Sequence, residues 1–171
     1  MSRNVSSSPQ DGPRQRALVA LARRDRSEHE LRTALRGEGF EGEAIDATIG
    51  RLREERALDD AGLAARFARG QMAHRGMGRH RIRQALRRRG LDREIIEGGV
   101  AAALEEVSEV ATLEAVADRY WRSHERVAPV VRLRRLRAFL VRRGFPPALV
   151  AARLAAMKAG WKQPSGRGDA E

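Results

Sequence analysis

A pattern of six apolar residues and one glycine occurs three times in this chain, and it limits the possible folds more than any other feature. It runs through the stretches ALRGEGF (34–40), ALRRRGL (85–91) and FLVRRGF (139–145). The steps between its positions are +4, +4, +1, +5, +4 and +3 in every copy, and the copies are offset by 51 and then 54 residues. Its positions are Leu31, Leu35, Gly39, Phe40, Ile45, Ile49 and Leu52; Ile82, Leu86, Gly90, Leu91, Ile96, Val100 and Ala103; and Leu136, Leu140, Gly144, Phe145, Val150, Leu154 and Met157.

Each step of the pattern indicates a part of a helix pair. Apolar residues four apart lie on one face of a helix. Gly39, Gly90 and Gly144 stand where a left-handed residue would end that helix, and the apolar residue after each glycine packs back on the last turn. A second helix follows, and another amphipathic segment precedes each pair. The sequence therefore predicts an all-α fold of three tandem three-helix repeats that stack into an elongated array.

The predicted repeats span residues 15–56, 57–107 and 108–159. Ser, Pro and Gly are frequent in residues 1–14 and 160–171, which we expect to be a disordered arm and tail.

Several residues have the positions of helix-start signals. Ser27 and Glu30 form a capping box before Leu31. Asp59 and Asp60 stand where the first helix of the second repeat should begin. Prolines at 146 and 147 fall in the first turn of the last helix, where the missing N–H is harmless.

The charge of the chain favours an acidic partner. Lys and Arg number 34 against 23 Asp and Glu, giving a net charge of +11 and an isoelectric point near 11.5. Such a surplus favours nucleic acid or an acidic protein surface, although arginine-rich coding bias would produce it without any function. Cysteine is absent, which suits a reducing compartment. No secretory signal and no apolar run of membrane-spanning length is present, so we expect a soluble cytoplasmic protein without membrane contact.

Arginines recur at matching positions of the second and third repeats. Four of the second repeat align with four of the third, whereas the first repeat has Glu30, Arg32, Gly37 and Glu38 there. Like charges four apart destabilise a helix slightly, so their recurrence favours contact with phosphates or an acidic protein. A solvated charge run remains the alternative for any single arginine, and they cannot all face one partner. The predicted binding set is Arg79, Arg81, Arg83, Arg87, Arg88, Arg89, Arg135, Arg137, Arg142 and Arg143.

Little in the sequence indicates catalysis. The four histidines lack metal-ligand spacing, and GMG at 76–78 is too short for a phosphate-binding loop. Asp59 and Asp60 are better explained by helix capping than by metal binding. Tyr120 and Trp121 have core spacing and should pack, while base stacking by Trp161 stays open. We therefore predict no enzyme activity, no cofactor and no metal.

Four segments of the chain resemble the RecX family. They are R-x-R-S-E-x-E-L at 24–31, L-x-x-x-x-x-L-D-D at 52–60, L-A-x-x-F-A at 63–68, and R-G-x-G-x-x-R-I-x-x-x-L-x-x-x-G-[IL] at 75–91. The resemblance covers roughly residues 15–158. Ala57 departs from the aromatic residue usual in the family, and Leu63 departs from phenylalanine; both are packing positions.

The resemblance implies a curved array that lies in the groove of the RecA–DNA filament. Such a protein limits filament growth and restrains ATP hydrolysis and strand exchange, in recombinational repair and the SOS response. The implied partners are the RecA recombinase filament and single- and double-stranded DNA, and the protein is expected to be a monomer. The alternative is a stand-alone DNA- or RNA-binding helical module without sequence preference.

Overall fold

The computed structural model describes residues 12–161, with the side chain of Trp161 excepted. In this range the chain forms nine α-helices and no strand. They are α1 (Pro13–Arg23), α2 (Glu28–Gly37), α3 (Gly42–Glu54), α4 (Asp60–Arg75), α5 (Arg79–Arg88), α6 (Arg93–Glu106), α7 (Glu109–Ser123), α8 (Pro129–Arg142) and α9 (Pro147–Trp161). The predicted all-α fold with three helix triplets in tandem is confirmed.

The two ends of the described range extend into the predicted arm and tail. Helix α1 begins at Pro13, and α9 runs through Trp161. A proline in the first turn fits because its missing N–H would have no partner within the helix. The remainder of the predicted arm and tail, residues 1–11 and 162–171, lies outside the described residues.

The repeated apolar positions form the interior of the protein. Sixteen of the eighteen are buried, and Phe40 and Met157 are half-buried. Residues of α1, α2 and α3 make one core around Ala17 and Leu31. Residues of α7, α8 and α9 make another around Leu113 and Phe145.

The chain divides into two compact units whose boundaries do not follow the triplets. The first unit ends at residue 66 and also includes residues 85–99; the second unit comprises residues 67–84 and the chain from residue 100 onward. The cuts fall inside α4, α5 and α6. Each unit therefore contains one outer triplet and parts of the middle one.

The three glycines of the repeat end the second helix of each triplet, as the sequence predicts. Gly39, Gly90 and Gly144 have φ of 88°, 75° and 86°, which is the left-handed region that glycine tolerates best. The next residue then donates its N–H to a carbonyl five residues earlier, as Phe145 does to Leu140 at 3.3 Å. The apolar side chain is thereby turned back toward the helix.

Helix starts also follow the sequence signals. The capping box is present, because Ser27 Oγ accepts from the Glu30 N–H at 3.1 Å and the Glu30 carboxylate accepts from the Ser27 N–H at 2.9 Å. Asp59 Oδ1 accepts from the Gly62 N–H at 2.9 Å and so caps the start of α4.

Candidate interaction surface

In the first unit, the glycine turn that ends α5 packs against the start of α2. We call this contact the first joint. A Cβ atom on Gly90 would lie 2.2 Å from His29 Cγ, so only glycine fits the present packing. Ser27 Oγ donates to the Arg89 carbonyl at 2.5 Å, and Arg89 Nη2 lies 2.8 Å from Glu30 Oε2. The capping box of α2 therefore also binds the turn that ends α5.

In the second unit, the glycine turn that ends α8 packs against the start of α5. This contact is the second joint, and its residues 78–81 stand 51 positions after residues 27–30. A Cβ on Gly144 would lie 2.3 Å from the backbone nitrogen of Arg81. The Gly78 N–H donates to the Arg143 carbonyl at 2.9 Å, and the His80 N–H donates to the Gly144 carbonyl at 3.0 Å. Backbone groups thus make the contacts that side chains make at the first joint.

At both joints a carboxylate from the next triplet caps the second helix. Asp60, the first residue of α4, accepts from the Glu28 N–H at 3.0 Å. Glu109, the first residue of α7, accepts from the Arg79 N–H at 2.7 Å and lies 2.6 Å from Arg79 Nε. Both acids are placed where free N–H groups and the helix dipole favour negative charge. Asp60 therefore begins one helix and caps another.

Glu109 was missed by the sequence reasoning although it is buried. A signal for it exists, because Ser108 and Glu109 repeat the order of Asp59 and Asp60, a capping residue followed by an acid at the start of a triplet. Ser108 Oγ accepts from the Ala111 N–H at 3.2 Å, which completes the parallel.

The surroundings of the joints shift two carboxyl pKa values in opposite directions. Burial opposes ionisation of Glu30, but hydrogen bonds from Arg89 and the Ser27 N–H outweigh it and lower the pKa of Glu30 to about 2. Burial raises the pKa of Asp60 and outweighs the hydrogen bond from the Glu28 N–H. Glu30 is therefore fixed as the anion of an ion pair at the first joint.

Four of the ten arginines predicted to bind a partner hold the joints instead. Arg79 pairs with Glu109, and Arg89 pairs with Glu30. Arg81 Nη1 donates to the Arg142 carbonyl at 3.2 Å. Arg143 donates to a backbone carbonyl, that of Arg75, and covers the ring of Phe139. Arg83 is half-buried and interacts within the protein as well.

The other five predicted arginines are exposed, and within the described residues their guanidinium groups have no hydrogen bond or ion pair. They are Arg87 and Arg88 on α5 and Arg135, Arg137 and Arg142 on α8. Arg134 on α8, which the sequence reasoning did not select, is exposed in the same way. Four of these six exposed arginines therefore lie on α8.

In the sequence, the whole net charge of the chain comes from residues 126–168. From residue 126 to residue 168 there are eleven basic residues and no acid, which leaves 23 basic and 23 acidic residues for the rest. The running charge along the sequence would have revealed this segment. We call residues 126–168 the acid-free segment.

The outward face of α8 combines cations with apolar side chains. Leu133, Leu136 and Leu140 are buried, and residues 130, 134, 137 and 141 lie on a separate flank of the helix, centred about a quarter of a turn away from them. Val130 is 70% exposed and Val141 is 48% exposed, beside Arg134 and Arg137. Exposed valines among unpaired cations are consistent with an interaction surface.

The aromatic residues of α7 pack as the sequence predicts. The Tyr120 ring stacks on His124 with 4.0 Å between centroids, and its centroid lies 4.8 Å from that of Phe139. The guanidinium of Arg132 lies 3.7 Å from the Trp121 ring centroid. Both rings border the core of the last triplet. The side chain of Trp161 lies outside the described residues.

The part of the chain that the structure describes has neither a cluster of metal ligands nor a membrane-spanning helix. No group of three or more His, Cys, Asp or Glu side chains there could hold a metal ion. No helix there has both the length and the apolar character needed to cross a membrane.

Three family models match the chain in order and without overlap. They describe the first, second and third three-helix domains of RecX, and they match residues 14–52, 59–98 and 108–152. The chain belongs to the RecX family. The three domains correspond to the three helix triplets.

Curated relatives of this RecX-family chain carry the name regulatory protein RecX. That of Geobacillus kaustophilus is 34% identical over 142 residues, which are 82% of this chain and 52% of the relative. That of Amycolatopsis mediterranei is 33% identical over 129 residues, or 75% of this chain and 73% of the relative. The chain thus spans about half the length of the first relative and most of the second.

Solved structures of RecX proteins share the fold. The crystal structure of RecX from Lactobacillus salivarius superposes with a TM-score of 0.75, at 18% identity over 86% of this chain and 95% of that one. A second crystal structure, of a regulatory protein RecX, gives a TM-score of 0.66 at 19% identity over 80% of this chain and 69% of the other.

Proposed function

We propose that this protein is a regulator of the RecA recombinase without catalytic activity of its own. It binds the RecA–DNA filament, limits its growth, and restrains ATP hydrolysis and strand exchange during recombinational repair and the SOS response. The observation that carries this proposal is the ordered match of all three RecX domains. Relatives named regulatory protein RecX support the regulatory role.

The proposed contact surface is the cationic face of α8. It consists of Arg134, Arg135, Arg137 and Arg142, with Arg87 and Arg88 on α5 as a further contact. These side chains are exposed and have no internal partner among the described residues, so they can meet phosphates or carboxylates at no cost to the fold. Arg79, Arg81, Arg89 and Arg143 are left out, because the joints use them.

Hydrolysis of ATP by RecA on single-stranded DNA tests the proposal. Purified protein is added at a molar concentration far below that of RecA. The rate of ATP hydrolysis and the co-sedimentation of the protein with the filament are measured together. We expect strong suppression, since a protein that limits filament growth acts at few sites. Unchanged hydrolysis without co-sedimentation would contradict the proposed function.

The acid-free segment supports a second candidate, a stand-alone nucleic-acid-binding module. This module would bind naked DNA or RNA with an affinity that falls steeply as salt rises. Anisotropy of labelled single- and double-stranded oligonucleotides over a salt series, with and without RecA, distinguishes the two. Tight binding to naked DNA without any effect on RecA would favour the module.

Two further properties accompany the proposed function. We infer that the protein acts as a monomer in the cytoplasm, where RecA meets DNA. The molar mass measured by light scattering coupled to gel filtration, at several protein concentrations, checks the monomeric state.

A further inference from the structure

A long groove in the second unit adjoins the second joint, whose Arg81 and Arg143 line part of it. It runs beside α7 and is bounded by the end of α4, residues 76 and 77, and Phe139 of α8; its cavity volume is about 1170 Å³. Its lining on α7 extends from Ser108 to His124, about 24 Å at the rise of a helix. This length matches a helix of about four turns.

The walls of the groove favour a helix as its occupant. Ala111 and Ala115 line it from α7 and are exposed. Such small side chains allow the axis of a second helix to come close. Met77, Val107 and Val116 supply apolar, partly buried surface beside them. An amphipathic helix placed in an apolar groove is a recurrent mode of protein recognition.

Among the residues that the structure describes, the arginines that line the groove have no carboxylate partner. Arg81 and Arg143 donate to backbone carbonyls and not to carboxylates, so their orientation is fixed while their charge stays uncompensated. Arg75 and Arg119 are exposed and also line the groove. Its acid, Glu106, already pairs with Arg69 at 2.8 Å. The groove therefore attracts negative charge.

Nucleic acid fits this groove less well than protein does. Tyr120 lines the groove, but His124 and Phe139 already pack against its ring. Single-stranded nucleic acid usually binds by stacking its bases on aromatic rings. Because its neighbours already pack against the Tyr120 ring, that ring is a poor stacking partner for a base. About half of the groove surface is apolar, and that half makes no contact that a phosphate backbone could use.

We propose that this groove binds an acidic, amphipathic helix of a protein partner. The apolar side of that helix lies on Met77 and Val116, and its carboxylates meet Arg75, Arg81 and Arg119. The inference deepens the proposed function and rests on it for the identity of the partner protein. Binding itself is measurable without that identity.

The first test uses a fluorescein-labelled peptide of four helical turns, with Leu along one face and Glu at the other positions. A matched peptide replaces Leu by Ser and keeps the charge. The full-length protein should bind the first peptide at least about tenfold more tightly than the second. Equal binding, or none, would overturn the inference.

Variants of the protein locate the binding site. Ala115→Trp fills the groove, and Ala155→Trp on the exposed side of α9 is its control. Arg119→Glu reverses a groove charge, and Arg36→Glu reverses a charge on the exposed side of α2, outside both proposed surfaces. We expect the two groove variants to lose about tenfold or more in peptide affinity, with both controls unchanged. Normal binding of the peptide to Ala115→Trp would refute a protein-binding groove. Displacement of the peptide from the groove by a single-stranded oligonucleotide would refute it as well.

Hydrolysis of ATP by RecA, measured with the same variants, separates the two proposals. If wild type suppresses hydrolysis and Ala115→Trp suppresses it equally, the groove is not the contact and the proposed function stands. If the peptide binds in the groove but wild type leaves RecA unaffected, the inference stands and the proposed function fails.

Discussion

At the first joint, the turn at Gly90 lies against the side chain of His29, and an ion pair of Arg89 with Glu30 closes the contact. At the second joint, the turn at Gly144 lies against the backbone of Arg81, and backbone hydrogen bonds close it. The glycine conformation is shared, while the chemistry around it differs. Equivalent repeat positions can thus keep one geometry with different charges, so charge alone does not reveal the role of a repeat arginine.

Alanine at the three turn glycines should give the largest effects and rank the joints. All three variants place a side chain at positive φ, which costs about 1–2 kcal/mol. At Gly144 the new Cβ also meets backbone that cannot move aside, which adds about 1–3 kcal/mol. Gly90→Ala meets His29, whose ring can rotate away but whose Cβ, 2.4 Å from the new atom, moves only with the backbone. Gly39→Ala meets nothing within 4 Å. Urea unfolding should therefore rank Gly144→Ala as most damaging and Gly39→Ala as least; an equal loss in all three would show that the joints do not depend on close packing.

Replacement of each capping acid by its neutral amide should give the next largest losses of stability. Glu109→Gln keeps one acceptor for the Arg79 N–H, but it removes the negative charge beside the Arg79 guanidinium and places an amide NH2 donor against it. We expect a loss of about 2–3 kcal/mol for this buried hydrogen bond between charged groups. Asp60→Asn keeps an acceptor for the Glu28 N–H and should lose about 1 kcal/mol or less. Thermal unfolding of both variants measures the difference. Equal losses would mean that the two joints rely on their caps alike.

The pH dependence of stability should also distinguish the two joints. The pKa of Glu30 is about 2 in the folded protein and 4.5 without its partners, so its ion pair stabilises the fold above pH 4.5 and is lost as the pH falls toward 2. The stability difference between wild type and Glu30→Gln should therefore be greatest at pH 5 and shrink by pH 2. Urea titrations at several pH values check this, and a constant difference would exclude the ion pair as its source.

Local features of the fold could be predicted from the sequence because they depend on neighbours in the chain. The steps of the repeat predict the buried faces, Gly90 and Gly144 predict the helix ends, and Ser27 with Glu30 predicts the capping box. Residue spacing alone carries all of these, since a helix turn and a helix cap are each formed within a few residues.

The roles of individual arginines could not be predicted in the same way. Arg79 and Arg87 lie on the same helix, α5, eight residues apart, yet Arg79 meets Glu109, thirty residues away, and Arg87 meets solvent. Such a difference depends on tertiary packing, which spacing does not encode. The extra length of α8, which begins at Pro129 and has 14 residues against 10 in α2 and α5, was likewise not anticipated.

We propose that exposed arginines of α8 bind the filament. Arg79, Arg81, Arg89 and Arg143 instead stabilise the two joints of the fold. The most direct test of this proposal is suppression of ATP hydrolysis by RecA with Arg134, Arg135 and Arg137 all replaced by Ala. The control carries the same loss of charge at three exposed positions of the first triplet, Arg23, Arg36 and Arg51. We expect the α8 variant to keep its helicity and lose suppression, and the control to suppress as wild type does. Full suppression by the α8 variant, or equal loss in both, would contradict the assignment.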